Sequence, residues 1–371
     1  MTSNQRTERH YDIDWLRCLA MLMVFLFHCA RFFDDFPWHV KDGEISAGFS
    51  LFVGFLVIWI MPIFFLISGM SSFYSLGKRT GREFIQARIK RLAIPFVFGV
   101  FVLIPPQVYL ERLSHGQFEG SFIQFSPHYF DGFYAFGGNF AWMGLHLWFL
   151  QILFIHSLLL LPLFLWIRRE KILQRISRAA DLLLKPGIIF LFGVPLAIIE
   201  LALNPEGLGR RDFGGWNIFQ YLVVFFYGYL IASNQRIRQV IKNHRVTALI
   251  LGTVILTALV VFEERIGYSG TMILRAFAMW LWLLAILGFG HKYLNFSNGA
   301  LKLANEAVLP FYILHQTVIL ILGYFIVQLG IPLFTKFLII AVLSFVTIIS
   351  LYVFLIKKFK PMRFLFGMRS S

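Results

Sequence analysis

Apolar runs, each close to the roughly 20 residues that carry a helix across a bilayer, recur along the whole chain. They fall at about residues 14–33, 51–76, 92–110, 146–167, 187–203, 217–233, 246–262, 271–290, 307–328 and 333–356. The pattern predicts ten transmembrane helices. The alternating polarity of a transmembrane barrel is missing, so the expected fold is all-α and polytopic. The first run reads as a helix rather than a cleaved leader, because it is long, contains Arg17 and His28, and has no small-x-small site. Pro62, Pro95, Pro105, Pro106, Pro162, Pro195 and Pro310 should kink or end helices. No internal repeat is visible, and residues 1–371 are expected to form one membrane-embedded domain. The longest outer segment, about 111–145, is rich in Gly, Phe and Tyr and reads as a lid over a cavity.

Composition agrees. Hydrophobic residues make up 58% of the 371 and charged residues 14%, about half the share of an ordinary soluble domain. Too little polar surface exists to cover such a chain in water, which excludes a soluble enzyme; abundant apolar surface excludes disorder. Cys18 and Cys29 lie on one predicted helix, about 16 Å apart, so they make no disulfide.

The net charge is +15. Its distribution over alternate loops fixes an expected orientation. With the N-terminus cytoplasmic, the inner segments hold 25 basic residues and the outer ones seven. Among the inner ones are Arg6, Arg9 and Arg369, and among the outer ones Arg210 and Arg211. The inner face then carries +18 and the outer face −4, which satisfies the positive-inside rule with both termini cytoplasmic. The charge is spread over loops rather than gathered in one polar domain, so no nucleic-acid partner is expected.

Ionisable residues within a membrane helix usually face the bundle interior. The first helix holds Arg17 and His28. Eleven residues return to within about 20° of the starting direction, so the two share a face, about 16 Å apart along the axis. Arg17 suits a phosphate or carboxylate contact, and His28 can accept a proton near neutral pH. A snorkelling arginine and a hydrogen-bonded core histidine account equally well for the two residues taken alone. Asp35, seven residues beyond His28, would share its face if the helix continued, and Asp34 is adjacent; either is a candidate to orient the base. An Arg31–Asp35 surface pair is the simpler alternative. Trp38, Trp142 and Trp148 are candidate sugar-stacking rings or interfacial anchors. Glu200 and Arg275 read as a mutual buried pair joining two helices. No metal site is expected: His146 and His156, ten residues apart, face opposite ways, and no His-Glu-x-x-His or paired Cys-x-x-Cys occurs.

The Asp14-x-x-Arg17 segment, the Arg17-x10-His28 spacing and the ten-helix pattern resemble the acyltransferase 3 family. Ile63-Phe64-Phe65-Leu66-Ile67-Ser68-Gly69 is similar to that family's Phe-Phe-x-x-Ser-Gly segment. Arg88-Ile89-Lys90-Arg91-Leu92-Ala93-Ile94-Pro95 matches its Arg-x-x-Arg-x-x-x-Pro. Leu145 to Leu150 resembles its Leu-Trp-Phe-Leu segment, followed by Gln151 where a carboxylate is common. Tyr312-Ile313-Leu314-His315-Gln316 is similar to its Tyr-x-x-His-Gln. Phe36-Pro37-Trp38-His39-Val40 resembles the branch that succinylates osmoregulated periplasmic glucans.

The resemblance implies a multi-pass enzyme of the bacterial inner membrane that moves an acetyl or succinyl group from cytoplasmic acyl-CoA to a hydroxyl of a periplasmic or cell-surface glycan. Arg17, Arg88 and Arg91 would hold the donor's phosphates, and His28 would be the general base, steered by Asp34 or Asp35. Trp38, His39, Trp148 and His315 would meet the acceptor. The implied partners are acyl-CoA, a glycan or sugar and the bilayer, with a homodimer left open and no metal required. A proton-coupled transporter using Arg17, His28, Glu200 and Arg275 is the competing expectation.

Overall fold

The computed structural model describes residues 10–181, 185, 187–203 and 214–368. Arg6, Arg9, Arg210, Arg211 and Arg369 of the charge balance lie outside these. Among the described residues the chain is helical, with one isolated bridge between Phe133 and Phe140 and no strand. In order the helices are α1 (Tyr11–Ala30), α2 (Ala47–Leu76), α3 (Gly81–Arg88), α4 (Ile94–Val102), α5 (Pro105–Ser114), α6 (Phe122–Phe125), α7 (Trp148–Leu159) and α8 (Leu161–Ile167). There follow α9 (Glu170–Ala180), α10 (Gly193–Ala202), α11 (Ile218–Ser233), α12 (Gln235–Val261), α13 (Glu263–Tyr293), α14 (Gly299–Ile326), α15 (Leu333–Leu351) and α16 (Lys360–Leu365).

Six helices among the described residues are long and apolar enough to cross a membrane: α1, α2, α12, α13, α14 and the run Leu333–Ile356. Two bent pairs raise the number to eight if each is one span. One joins Gly81–Val102 to Pro105–Ser114 at 41°, the other Leu145–Leu159 to Leu161–Ile167 at 50°. Both bends have the expected cause, since Pro105, Pro106 and Pro162 stand in the first turn of the second member and cannot donate back across the break. The expected runs at 187–203 and 217–233 are the shorter apolar helices Ile188–Ala202 and Ile218–Ser233. Residues Ile89–Ala93 form a π-turn. Pro95 lacks the N–H that would bond the Arg91 carbonyl, and the wider turn absorbs that loss within the Arg-x-x-Arg segment.

Contacts divide the chain into two compact units. The first comprises Met1–Ala20, Val57–Ile85 and Ile155–Lys302, the second Met21–Leu56, Gln86–Phe154 and Leu303–Ser371. In the first, α2 meets α11 backbone to backbone. A methyl on Gly69 would lie 2.0 Å from the Phe225 carbonyl oxygen, and one on Gly228 would lie 1.9 Å from that of Leu66. Small residues are what permit such approach in lipid. Phe164 stacks on Tyr229 at 3.8 Å, and the Tyr229 hydroxyl donates to the Phe164 carbonyl at 3.0 Å. In the second unit, Gly323 admits the Phe32 ring, and Lys336 forms a buried ion pair with Asp42 at 2.7 Å.

Candidate active site

His28 stands near the C-terminal end of α1 and belongs to the second unit. Its ring stacks on Trp38 at 6.0 Å and lies 5.0 Å from the ring of His315 on α14. His28 Nδ1 is buried and has no hydrogen-bond partner among the described residues. His315 Nδ1 sits on the Tyr312 carbonyl oxygen. A carbonyl only accepts, so in the neutral ring Nδ1 carries the proton and Nε2 is a bare lone pair. That Nε2 is also buried and unpartnered. Two open ring nitrogens thus occur on two adjacent histidines, one on each helix.

His146 is a third ring in this cluster, 5.1 Å from His315. It arrives on a strained turn, in which Gly144 has φ 81° and the following Leu145 has φ 43°. A leucine rarely adopts that region. Gly144 is needed there because a methyl would lie 2.6 Å from the Phe96 ring. Unlike its neighbour, His146 is fully engaged. Its Nε2–H donates to the Ile313 carbonyl at 3.1 Å, and its Nδ1 accepts from the Gln107 amide at 3.3 Å. The Tyr312 hydroxyl donates to the His146 carbonyl.

A polar chain continues from there. Gln107 donates to Thr317 at 2.7 Å and accepts from Gln316 at 3.0 Å. The Gln316 amide also donates to His39 Nε2 at 3.2 Å, and His39 Nδ1–H donates to the Glu111 carboxylate. Gln107 and Glu111 are four residues apart and share one face of α5, while Gln316 and Thr317 are the two residues after His315 on α14. Glu111 is buried, and both its oxygens accept from the Tyr134 hydroxyl at 2.9 and 2.7 Å. Burial, then the adjacent Glu111 carboxylate, raise Tyr134 far above the ordinary phenol range, so it stays a donor. Arg112 completes the set, reaching Glu111 at 3.2 Å, Asn139 at 2.8 Å and the Gly138 carbonyl at 2.8 Å.

Segment 111–145 is thereby bolted to α5. It is built from short helical turns around a cluster of Tyr129, Phe130 and Phe140, with the Tyr129 hydroxyl on the Val100 carbonyl at 2.9 Å.

The two expected orienting carboxylates are placed elsewhere. Asp35 would share the His28 face only on a continuing helix, and α1 ends at Ala30. Asp35 is exposed, and its backbone N–H donates to Ser50. Asp34 is buried and engaged by Arg31 Nη1 and Lys41 Nζ, both at 2.6 Å. Burial pulls Arg31 and Lys41 below their ordinary values and Asp34 opposes it. Arg31 also donates to the Pro37 carbonyl at 2.6 Å and lies 5.9 Å from the Trp38 ring. Asp34 therefore organises the loop that presents Trp38 and His39.

Of the expected donor-binding arginines, Arg17 belongs to the first unit, while Arg88 and Arg91 belong to the second. Arg17 bonds Asp14 at 3.1 Å and Ser71 at 2.9 Å. Arg88 is half-buried and Arg91 exposed, on either side of the start of the π-turn. Trp148 is buried and edge-on to Phe149, whose ring in turn meets Tyr312. No group of three or more His, Cys, Asp or Glu suited to a metal occurs among the described residues.

The structure brings His28, Trp38, His39 and His315 together. Sequence reasoning missed His146, Gln107, Glu111 and Tyr134 as site residues. One signal was available: Gln107 and Glu111 stand four apart directly after a Pro-Pro pair at the end of an apolar run.

A family model described as an acyltransferase domain matches residues 10–355. The chain is 26% identical over 333 residues to glucans biosynthesis protein C of Salmonella heidelberg (strain SL476), covering 86% of this chain and 84% of that one. It is 25% identical over 332 residues to the protein of the same name from Escherichia coli (strain SMS-3-5 / SECEC), with the same coverage. No solved structure matches at a significant level. With the family model spanning almost the whole chain, this protein belongs to the acyltransferase 3 family.

Proposed function

We propose that the protein moves an acyl group, acetyl or succinyl, from cytoplasmic acyl-CoA to a hydroxyl of a periplasmic or cell-surface glycan in the bacterial inner membrane. The observation that carries this reading is the pair of open ring nitrogens at His28 and His315. A buried polar atom without a partner costs stability and is retained where a substrate group completes it. The two glucans biosynthesis relatives support a glucan as the acceptor class.

In this mechanism His28 takes the proton of the acceptor hydroxyl as its oxygen attacks the thioester carbonyl. The tetrahedral intermediate collapses with loss of the carbon–sulfur bond, and the proton passes from His28 to the departing thiolate. Neither Cys18 nor Cys29 has a matched base in the sequence, which favours direct transfer over a thiol acyl-enzyme. Arg88 and Arg91, from one unit, bind phosphates of the donor, a role suited to fixed, always-charged guanidinium forks. The bent pairs and the two shorter apolar helices count as spans in this reading, giving ten crossings with both termini cytoplasmic.

Mass spectrometry of surface glycans from cells with and without the gene tests the reaction. Loss of an acetyl or succinyl ester on deletion, restored by the intact gene, is the expected result. Glycans identical in the two strains would contradict it.

A further inference from the structure

Among the described residues no carboxylate bonds His28, whereas His39 has one. Glu111 holds His39 through Nδ1–H, which fixes the ring and leaves Nε2 as its acceptor nitrogen. Such a carboxylate also makes Nε2 the stronger acceptor. The group now at Nε2 is the Gln316 amide nitrogen, at 3.2 Å, which also donates to the Gln107 side-chain oxygen at 3.0 Å. A hydroxyl can take the amide's place. It donates to Nε2 over the same reach, and its own lone pairs accept the freed Gln316 N–H. His39 and His28 both face the Trp38 ring, at 5.6 and 6.0 Å, so a molecule held at one nitrogen is delivered beside the other.

We propose that Glu111 and His39 form the hydroxyl receptor for the acceptor. His39 Nε2 takes a hydrogen bond from one hydroxyl of a carbohydrate, Gln316 donates to that same oxygen, and a neighbouring hydroxyl is left to His28. His39 touches the acceptor, and Glu111 is a positioning residue that acts through it. Tyr134 and Arg112 hold the carboxylate in place and tie the receptor to segment 111–145. The proposal takes the reaction from the acyltransferase reading, but the receptor itself needs only a saccharide.

The test measures binding of a short gluco-oligosaccharide to the purified full chain without acyl donor, by calorimetry or tryptophan fluorescence. Glu111→Gln and His39→Asn should each weaken binding about tenfold or more, the loss expected for a hydrogen bond to a charge-supported group. Tyr134→Phe should weaken it by a smaller factor, and the exposed Asp131→Asn should leave it unchanged. On adding acyl-CoA, Glu111→Gln should raise the KM for the saccharide and leave that for the donor unmoved. A merely structural Glu111 would shift both and lower Tm in step.

Wild-type affinity in Glu111→Gln and His39→Asn would overturn the proposal, as would failure of the wild type to bind any gluco-oligosaccharide. Parallel loss of donor affinity would also overturn it. Saccharide binding with the expected dependence, but no acyl transfer by the wild type, would uphold the receptor and sink the acyltransferase reading alone.

Discussion

One buried cluster from each compact unit makes the comparison: the charges around Glu200 are engaged, whereas the histidines around His28 keep two ring nitrogens open. In the first, buried Glu200 accepts from Asn217 at 3.3 Å and Gln220 at 3.2 Å. Asn217 also caps α11 through its oxygen, and the Gln220 amide reaches back to the Leu196 carbonyl at 2.6 Å. Arg275 lies over the Trp216 ring at 5.2 Å and donates to the Gly215 carbonyl at 3.2 Å. The charges here are tied to caps and carbonyls of successive helices, an arrangement that locks helices together. In the second unit the engaged groups, His39 and His146, surround two histidines whose ring nitrogens are open. The difference teaches where to seek chemistry in a buried polar cluster: at the atoms left unsatisfied, since the satisfied ones already have a structural task.

Substitutions can break that contrast. The largest effect is expected for His28→Ala, which should lower acyl transfer about a hundred- to ten-thousand-fold, the range of a lost general base, with Tm little changed. Steady-state kinetics beside thermal unfolding in detergent checks it. His315→Ala should cost about tenfold in the same assay, as loss of one substrate hydrogen bond. In the first unit Glu200→Leu should act on stability instead. It leaves the Asn217 and Gln220 amides without their acceptor, a loss of about 1–3 kcal/mol, while the rate per folded molecule is retained. Asp131→Asn, in an exposed pair with His128, should change stability by no more than about 0.5 kcal/mol. A rate loss in folded Glu200→Leu, or a stability loss in place of a rate loss in His28→Ala, would dissolve the contrast.

The helical architecture and six to eight of its apolar spans were legible because apolar runs are a local property. The two sharp bends were legible in the same way, from Pro105, Pro106 and Pro162. His28, Trp38, His39 and His315 were reachable through motif resemblance and helical phase. Glu111 and His146 were not, because their roles depend on contacts with residues 72 and 169 positions away, His39 and His315. Helical phase misled at Asp35, since extrapolating a face beyond Ala30 assumed a helix that has already ended. The buried Asp34 looked like a partner for the base until the positions of Arg31 and Lys41 showed what neutralises it.

The central claim is that His28 carries acyl transfer to a glycan hydroxyl. Its most direct test is the purified protein reconstituted in liposomes, given acyl-labelled CoA and an unmodified glucan, beside His28→Ala matched for folded protein. The predicted result is label on the glucan as a base-labile ester with the wild type and almost none with the variant. Label that stays on CoA in the wild-type sample, or equal ester yield from well-folded His28→Ala, would contradict it.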